Sequence, residues 1–228
     1  MTKVLAIRSS ILAEASASNQ LVHGALSNFQ ASNPAARIVE RDLSAQPIPH
    51  LDIEAATGLR WDPVNPVQEK ARALSDKLIE EVNDADVLLI GAPMYNFGIP
   101  SGLKSWFDYI LRAGITFRYT EAGPEGLVKG KRAVVVLTRG GLYSEGPMSV
   151  MDAQEPHLLT LLNFFGITDI AFVRAEKLAF GPEHREAAIA KALDEIVAEF
   201  RPALAAAALP GIRNTAAFDE IQNINRDQ

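Results

Sequence analysis

Hydrophobic residues in this chain gather in compact runs instead of alternating with polar ones. Val4-Leu5-Ala6-Ile7, Val87-Leu88-Leu89-Ile90, Ala133-Val134-Val135-Val136-Leu137 and Ile170-Ala171-Phe172-Val173 stand out, with a weaker run at Arg37-Ile38-Val39. A strand with one wet face alternates, whereas a continuous apolar run suits a parallel strand covered on both faces. Between the runs the period becomes helical. Leu103, Trp106, Phe107, Ile110 and Leu111 fall at i, i+3, i+4, i+7 and i+8, one apolar stripe. Ala71, Leu74, Leu78 and Val82 make another, with Glu80, Glu81 and Asp84 on its wet side. Leu158, Leu159, Leu161, Leu162, Phe164 and Phe165 make a third, with Pro156 in its first turn. That stripe wraps more of its helix than one sheet face requires. Asn19 to Phe29 and Ala188 to Phe200 supply two more.

Strand and helix alternate five times. Right-handed crossovers of that kind predict an α/β fold, an open five-stranded parallel sheet with helices on both faces. One domain is expected over residues 1–201. Residues 202–228, interrupted by Pro202 and Pro210-Gly211, are expected to be an extension, either a tail or a strap across a second subunit. Two excursions have no place in the repeat. Gln46 to Pro66 holds several prolines and Trp61, and Ala113 to Gly130 carries Phe117-Arg118-Tyr119-Thr120-Glu121 and Gly123-Pro124. Long loops in a compact domain are usually functional.

Composition narrows the chemistry. Of 228 residues, 48% are hydrophobic, enough for a sizeable core. The 22 basic against 28 acidic residues give a charge of -6 without basic clusters, so nucleic acid is not an expected partner. The absence of cysteine excludes disulfides, thiolate nucleophiles, zinc ribbons and iron–sulfur clusters. His23, His50, His157 and His184 are scattered without ligand spacing, so no metal is expected. The N-terminal apolar run is too short for a signal peptide, and Ala203 to Leu209 falls far below the ~20 residues of a membrane span. A cytoplasmic chain with no membrane segment is the expectation.

An open parallel sheet binds ligands at the carboxyl ends of its strands. After the first strand come Ser9-Ser10, then Ser16-Ala17-Ser18-Asn19 at the mouth of a helix. Hydroxyls and free N–H groups at the positive end of a helix dipole suit a phosphate; the plainer alternative is a serine cap. After the third strand, Pro93-Met94-Tyr95-Asn96-Phe97-Gly98 offers a thioether, two aromatics and an amide to a flat heterocycle. After the fourth, Thr138-Arg139-Gly140-Gly141 lets backbone approach a ligand edge. Either stretch alone is as well explained as a turn; three such loops on one rim describe a phosphate pocket beside a ring slot. Other nucleotide signatures fail. No G-x-G-x-x-G follows the first strand, the spacing from Gly98 to Lys104 is not that of a P-loop, and Gly91-Ala92-Pro93 leaves no phospho-accepting carboxylate.

The residues resemble the FMN-dependent NADH-azoreductases, relatives of the NAD(P)H:quinone oxidoreductases and flavodoxins. The likeness covers roughly Met1 to Phe200. It is carried by Lys3-Val4-Leu5 with Ser9-Ser10-Ile11-Leu12-Ala13, Ala92-Pro93-Met94-Tyr95-Asn96-Phe97, Arg112-Ala113-Gly114, Phe117 to Glu121, Gly123-Pro124-Glu125-Gly126-Leu127 and Arg139-Gly140-Gly141. The resemblance implies a flavodoxin-like fold and FMN, with Ser10, Ser16, Ala17 and Ser18 on its phosphate. It places Met94, Tyr95, Asn96 and Phe97 along the ring, and Thr138, Arg139, Gly140 and Gly141 on the ring's polar edge. It further implies a homodimer with two sites at the interface, NADH as donor, and ping-pong two-electron reduction of azo compounds and quinones. Phe117 and Tyr119 correspond to residues lining the substrate slot; simple packing under a loop explains them equally well. Arg139 either favours negative charge on the reduced ring or serves an ion pair. No catalytic side chain is demanded, since such a cofactor carries the hard chemistry itself. A one-electron carrier and an NADPH-preferring quinone reductase are the rival readings.

Overall fold

In the computed structural model, which describes residues 2–200 (the side chain of Glu14 excepted), all five apolar runs are strands of one parallel sheet. They are β1 (Lys3–Arg8), β2 (Arg37–Asp42), β3 (Val87–Pro93), β6 (Arg132–Thr138) and β7 (Asp169–Ala175). Their order is β2-β1-β3-β6-β7, with Val4 paired to Val87, Val87 to Arg132 and Arg132 to Asp169. The chain winds outward from β1 to β2, then reverses and adds β3, β6 and β7 on the other side. The crevice between the carboxyl ends of β1 and β3 is therefore the switch point of the sheet.

Every residue of β3 is buried because both faces are covered. Leu88 and Ile90 join the core under α3 (Pro66–Asp84), α4 (Ser101–Ile110) and α5 (Glu155–Phe165). Val87 and Leu89 join the opposite core under α1 (Ala17–Ser32) and α6 (Pro182–Phe200). Two layers of helix explain why no strand alternates in sequence.

The two excursions contain structure that periodicity did not predict. Within Gln46 to Pro66 lies α2 (Ile53–Arg60), started by Asp52, whose carboxylate accepts from the Ala55 N–H at 2.7 Å. Asn65 starts α3 in the same way, accepting from Val67 and Gln68. The second excursion is an antiparallel hairpin, β4 (Phe117–Thr120) and β5 (Gly123–Gly126). Arg118 is ion-paired to Glu125 across it. The apolar α5 buries Leu158, Leu162 and Phe165, while Leu159 is 42% exposed. Among the described residues, no helix is long and apolar enough to cross a membrane. The extension expected from residue 202 onward lies outside the described residues.

Candidate active site at the carboxyl rim

The loop expected to take a phosphate opens on a capped helix. Ser16 is the N-cap of α1, its Oγ accepting from the Asn19 N–H at 3.1 Å and lying 3.0 Å from Ser18 Oγ. Both serines are buried, so the capping alternative holds for the Ser16 side chain. The first-turn N–H groups of Ala17 and Ser18 have no intrahelical acceptor and remain for a ligand. They sit at the positive end of a sixteen-residue helix with no acidic residue in its first turn.

The loop after β3 meets this one directly. Tyr95 Oη lies 3.0 Å from Ser10 Oγ and accepts the Ile11 N–H at 3.2 Å. Tyr95 and Gly98 exchange both backbone hydrogen bonds, at 3.0 and 3.1 Å, around Asn96 and Phe97. Both central residues have positive φ, 47° and 72°. Such a conformation is costly for Phe and persists only where surroundings over-determine it, which is common at ligand sites. It leaves Asn96 and Phe97 exposed and Met94 half-buried.

The third loop is held from beneath. Thr138 is buried, and its carbonyl accepts the Met94 N–H at 2.9 Å. The carbonyls of Gly140 and Gly141 accept from Ala179 and Lys177, and their own N–H groups take no part in that pairing. A Cβ placed on Gly140 meets only Ala179, at an ordinary 3.6 Å. The protein itself does not require glycine there. A ligand lying against the backbone would, and the neutral donors of the first loop suit a phosphate; the residues present fit FMN.

Of the two readings of Arg139, its surroundings favour the ion pair for the side chain. Its guanidinium is fully buried beneath the loop, donating to Gln154 Oε1 at 2.9 Å, Asp152 at 2.7 Å and Glu176 at 3.1 Å. With Arg174 and Glu155 it forms a network of two cations and three carboxylates. Its charge is already answered, so the ion-pair alternative is the correct one for this side chain. Gln154 also donates to the Ala92 carbonyl at 2.8 Å, tying the network to the end of β3. Burial alone would raise the Glu176 carboxyl. Donation from the Ser144 hydroxyl, the Tyr143 N–H and Arg139 outweighs it and holds the group below the usual glutamate range.

Sequence reasoning missed Glu176 and Tyr143, and reads Asp152-Ala153-Gln154 only as extra loop length that alters access to the slot, without the part Gln154 plays beneath it. Glu176 directly follows β7, and reading the end of that strand as the other ends were read would have found it. Tyr143, whose ring packs edge-on against Phe97 at 6.0 Å, follows the paired glycines by two residues. Gln154 carries no signal in sequence, since its role depends on reaching Ala92.

The structure does not bring Phe117 and Tyr119 to this rim. Their hairpin precedes the amino end of β6, the opposite edge of the sheet. Its contacts run to the end of α5, with the Phe117 ring tilted against Phe164 at 4.6 Å between centroids and the Val128 N–H donating to Phe165 O at 2.9 Å. Phe117 is buried and packs as the plainer alternative has it, whereas Tyr119 is 73% exposed. Both line a cleft of about 300 Å³ with Leu59, Arg60, Asp108 and Arg112. Within this chain these two residues and the rim are separate.

An open sheet in this strand order, with phosphate-type and ring-type loops at its switch point, defines a flavodoxin-like protein. The family described as having a flavodoxin-like fold matches residues 2–200, and the chain belongs to it. An FMN-dependent NADH:quinone oxidoreductase of Hyphomonas neptunium is 50% identical over 196 residues, 86% of this chain and 94% of that protein. One of the same name from Escherichia coli O6:K15:H31 is 50% identical over 204 residues, 87% of this chain and all of that protein. Among solved structures, the azoreductase of Bacillus anthracis str. Sterne superposes with a TM-score of 0.80 at 31% identity, covering 87% of this chain and 98% of that one. An FMN-dependent NADH-azoreductase from Bacillus anthracis str. Ames Ancestor, solved in complex with FMN, gives 0.78 at 26% identity over 87% and 99%.

Proposed function

We propose that this chain is an FMN-dependent NADH oxidoreductase that reduces quinones and azo compounds by two electrons in a ping-pong reaction. The observation that carries the reading is the meeting of Ser10 and Tyr95 across the switch point, which joins a phosphate-type loop to a ring-type loop. Ser10 and the N-terminus of α1 (Ser16, Ala17 and Ser18) hold the phosphate. Met94, Tyr95, Asn96 and Phe97 line one side of the ring, and Thr138, Gly140 and Gly141 border its edge. Arg139 acts through its network and is a positioning residue. Bound there, FMN would supply the hydride-accepting and two-electron-donating chemistry that links NADH to the second substrate. The protein's part is to orient that group, to present a flat slot that both substrates use in turn, and to offer the N–H groups of Gly140 and Gly141 where negative charge gathers.

Relatives at 50% identity are named NADH:quinone oxidoreductases, which favours an enzyme over a one-electron carrier, and NADH over NADPH as donor. A homodimer completes the substrate slot. The exposed Tyr119 cannot serve its own rim, and a second subunit can bring its hairpin there, with the partly bare α5 as a contact face. Cytoplasmic residence fits a chain without cysteine. The test is spectroscopic. Full-length protein loaded with FMN should bleach on anaerobic addition of NADH and recover its yellow colour with benzoquinone or methyl red. Persistent colour with excess NADH would contradict the reading.

A further inference from the structure

Between Gly141 and Gln154 the chain makes a loop whose two ends are fastened at the rim and whose middle is not. At its entrance Glu176 accepts the N–H groups of Tyr143 and Ser144, at 2.9 and 3.0 Å, and the Ser144 hydroxyl. At its exit the Ala153 N–H donates to the Phe97 carbonyl at 3.1 Å, and Asp152 accepts from Gln154 and Glu155. Between these clamps lies a short 3-10 turn, Pro147–Met151, with no buried residue. Its hydrogen bonds are local, from Ser149 to Gly146 and from Asp152 to Ser149. Gly146 enters it at φ 73° and ψ -167°, a region essentially restricted to glycine.

The turn nevertheless displays large apolar side chains. Met148 is 45% exposed and Val150 is 89% exposed. The turn springs from an apolar edge of the slot, because Phe97 is itself exposed, packs on Tyr143 before the turn and accepts the Ala153 N–H after it. A polar turn would satisfy the same backbone clamps. Apolar residues on a doubly anchored turn gain free energy only when something apolar covers them.

We infer, resting on the oxidoreductase reading above, that the turn Pro147–Met151 selects substrates. Met148 and Val150 form an apolar wall beyond Phe97 that meets the alkyl substituent of a quinone lying in the slot. Neither residue belongs to the cofactor loops, so hydride delivery from NADH does not depend on them. The flexible thioether of Met148 suits substituents of varied shape.

The experiment uses the FMN-loaded full chain and the variants Met148→Ser, Val150→Ser and the two combined. Flavin content, the rate of bleaching by NADH and the subunit mass by light scattering are recorded before any quinone is added. KM is then measured for a decyl-substituted benzoquinone and for a sulfonated benzoquinone of similar core. The combined variant is expected to raise KM for the decyl quinone about tenfold, as loss of one buried side chain's contact would. KM for the sulfonated quinone, flavin content and the NADH step should stay as in the wild type. Equal KM changes for both quinones, no change in either, or dissociation into single subunits would overturn the inference. Failure of the wild type to bleach with NADH would instead strike the oxidoreductase reading, and shows before a quinone is present.

Discussion

The hydroxyl of Tyr95 lies 3.0 Å from Ser10 Oγ, although the two residues belong to loops at the ends of different strands and stand 85 positions apart. The same phenolic oxygen accepts the Ile11 N–H, so one side chain closes the crevice between β1 and β3. The contact ties the grip on a phosphate to the placement of a ring. Tyr95→Phe keeps the aromatic face and removes this bridge. FMN affinity is expected to fall by about fivefold, the worth of roughly 1 kcal/mol of hydrogen bonding, with the melting temperature of the apoprotein little changed. Calorimetric titration with FMN measures it; an unchanged affinity would mean that the bridge has no part in holding the cofactor.

Gly140 gives a sharper steric test. A Cβ there meets only Ala179 at 3.6 Å, so Gly140→Val should fold with nearly wild-type stability. A branched side chain would stand where the flavin edge approaches, and flavin retention should drop by about tenfold or more. Gel filtration followed by the absorbance ratio of flavin to protein reads it. Full retention would place the ring elsewhere.

Acid should loosen the third loop through Glu176. Its folded carboxyl lies below the ordinary range because Ser144, Tyr143 and Arg139 stabilise the anion more than burial opposes it. A depressed carboxyl contributes stability that is present above its unfolded value and lost as pH falls through its folded value. Wild-type melting temperature should therefore decline more steeply from neutral to acid pH than that of Glu176→Gln, which starts lower. Parallel curves would show that this carboxyl does not hold the loop.

The substrate role proposed for Tyr119 is expected to separate cofactor binding from substrate binding. Tyr119→Ala should leave flavin content and the NADH step intact while raising KM for quinones by about threefold to tenfold, the usual range for an aromatic contact. Because Tyr119 lies away from its own rim, the proposed dimer predicts that the effect falls on the other subunit's site. Mixed dimers of Tyr119→Ala with a flavin-depleted Gly140→Val subunit should keep the wild-type KM when the alanine lies on the flavin-bearing subunit. A raised KM in that arrangement would put Tyr119 in its own subunit's slot.

How far these features could be read in advance depends on how local their causes are. The strands were legible because β3 and β6 are buried along nearly their whole length, and a run such as Ala133 to Leu137 suits little but a strand covered on both faces. The helix α2 was not, because prolines crowd its flanks and its start rests on one capping contact from Asp52. The hairpin of β4 and β5 was hidden by polar and glycine residues, and it is held by cross-strand pairing and by packing on α5. The rim loops could be found from the general rule that strand ends bind ligands. An ion pair is one of two readings for Arg139, but its partners could not be found that way. Its partners Gln154, Asp152 and Glu176 lie 13 to 37 positions away and are brought together only by the crossover through α5 and β7.

Every role assigned to the rim depends on where the flavin sits, and a crystal of the full chain soaked with FMN shows its place. Density is expected along Met94 to Phe97, with the phosphate on Ser10 and the N-terminus of α1 and the ring edge against Gly140 and Gly141. Density in the cleft beside Tyr119 and Arg112 of the same subunit, or none at saturating FMN, would refute that placement.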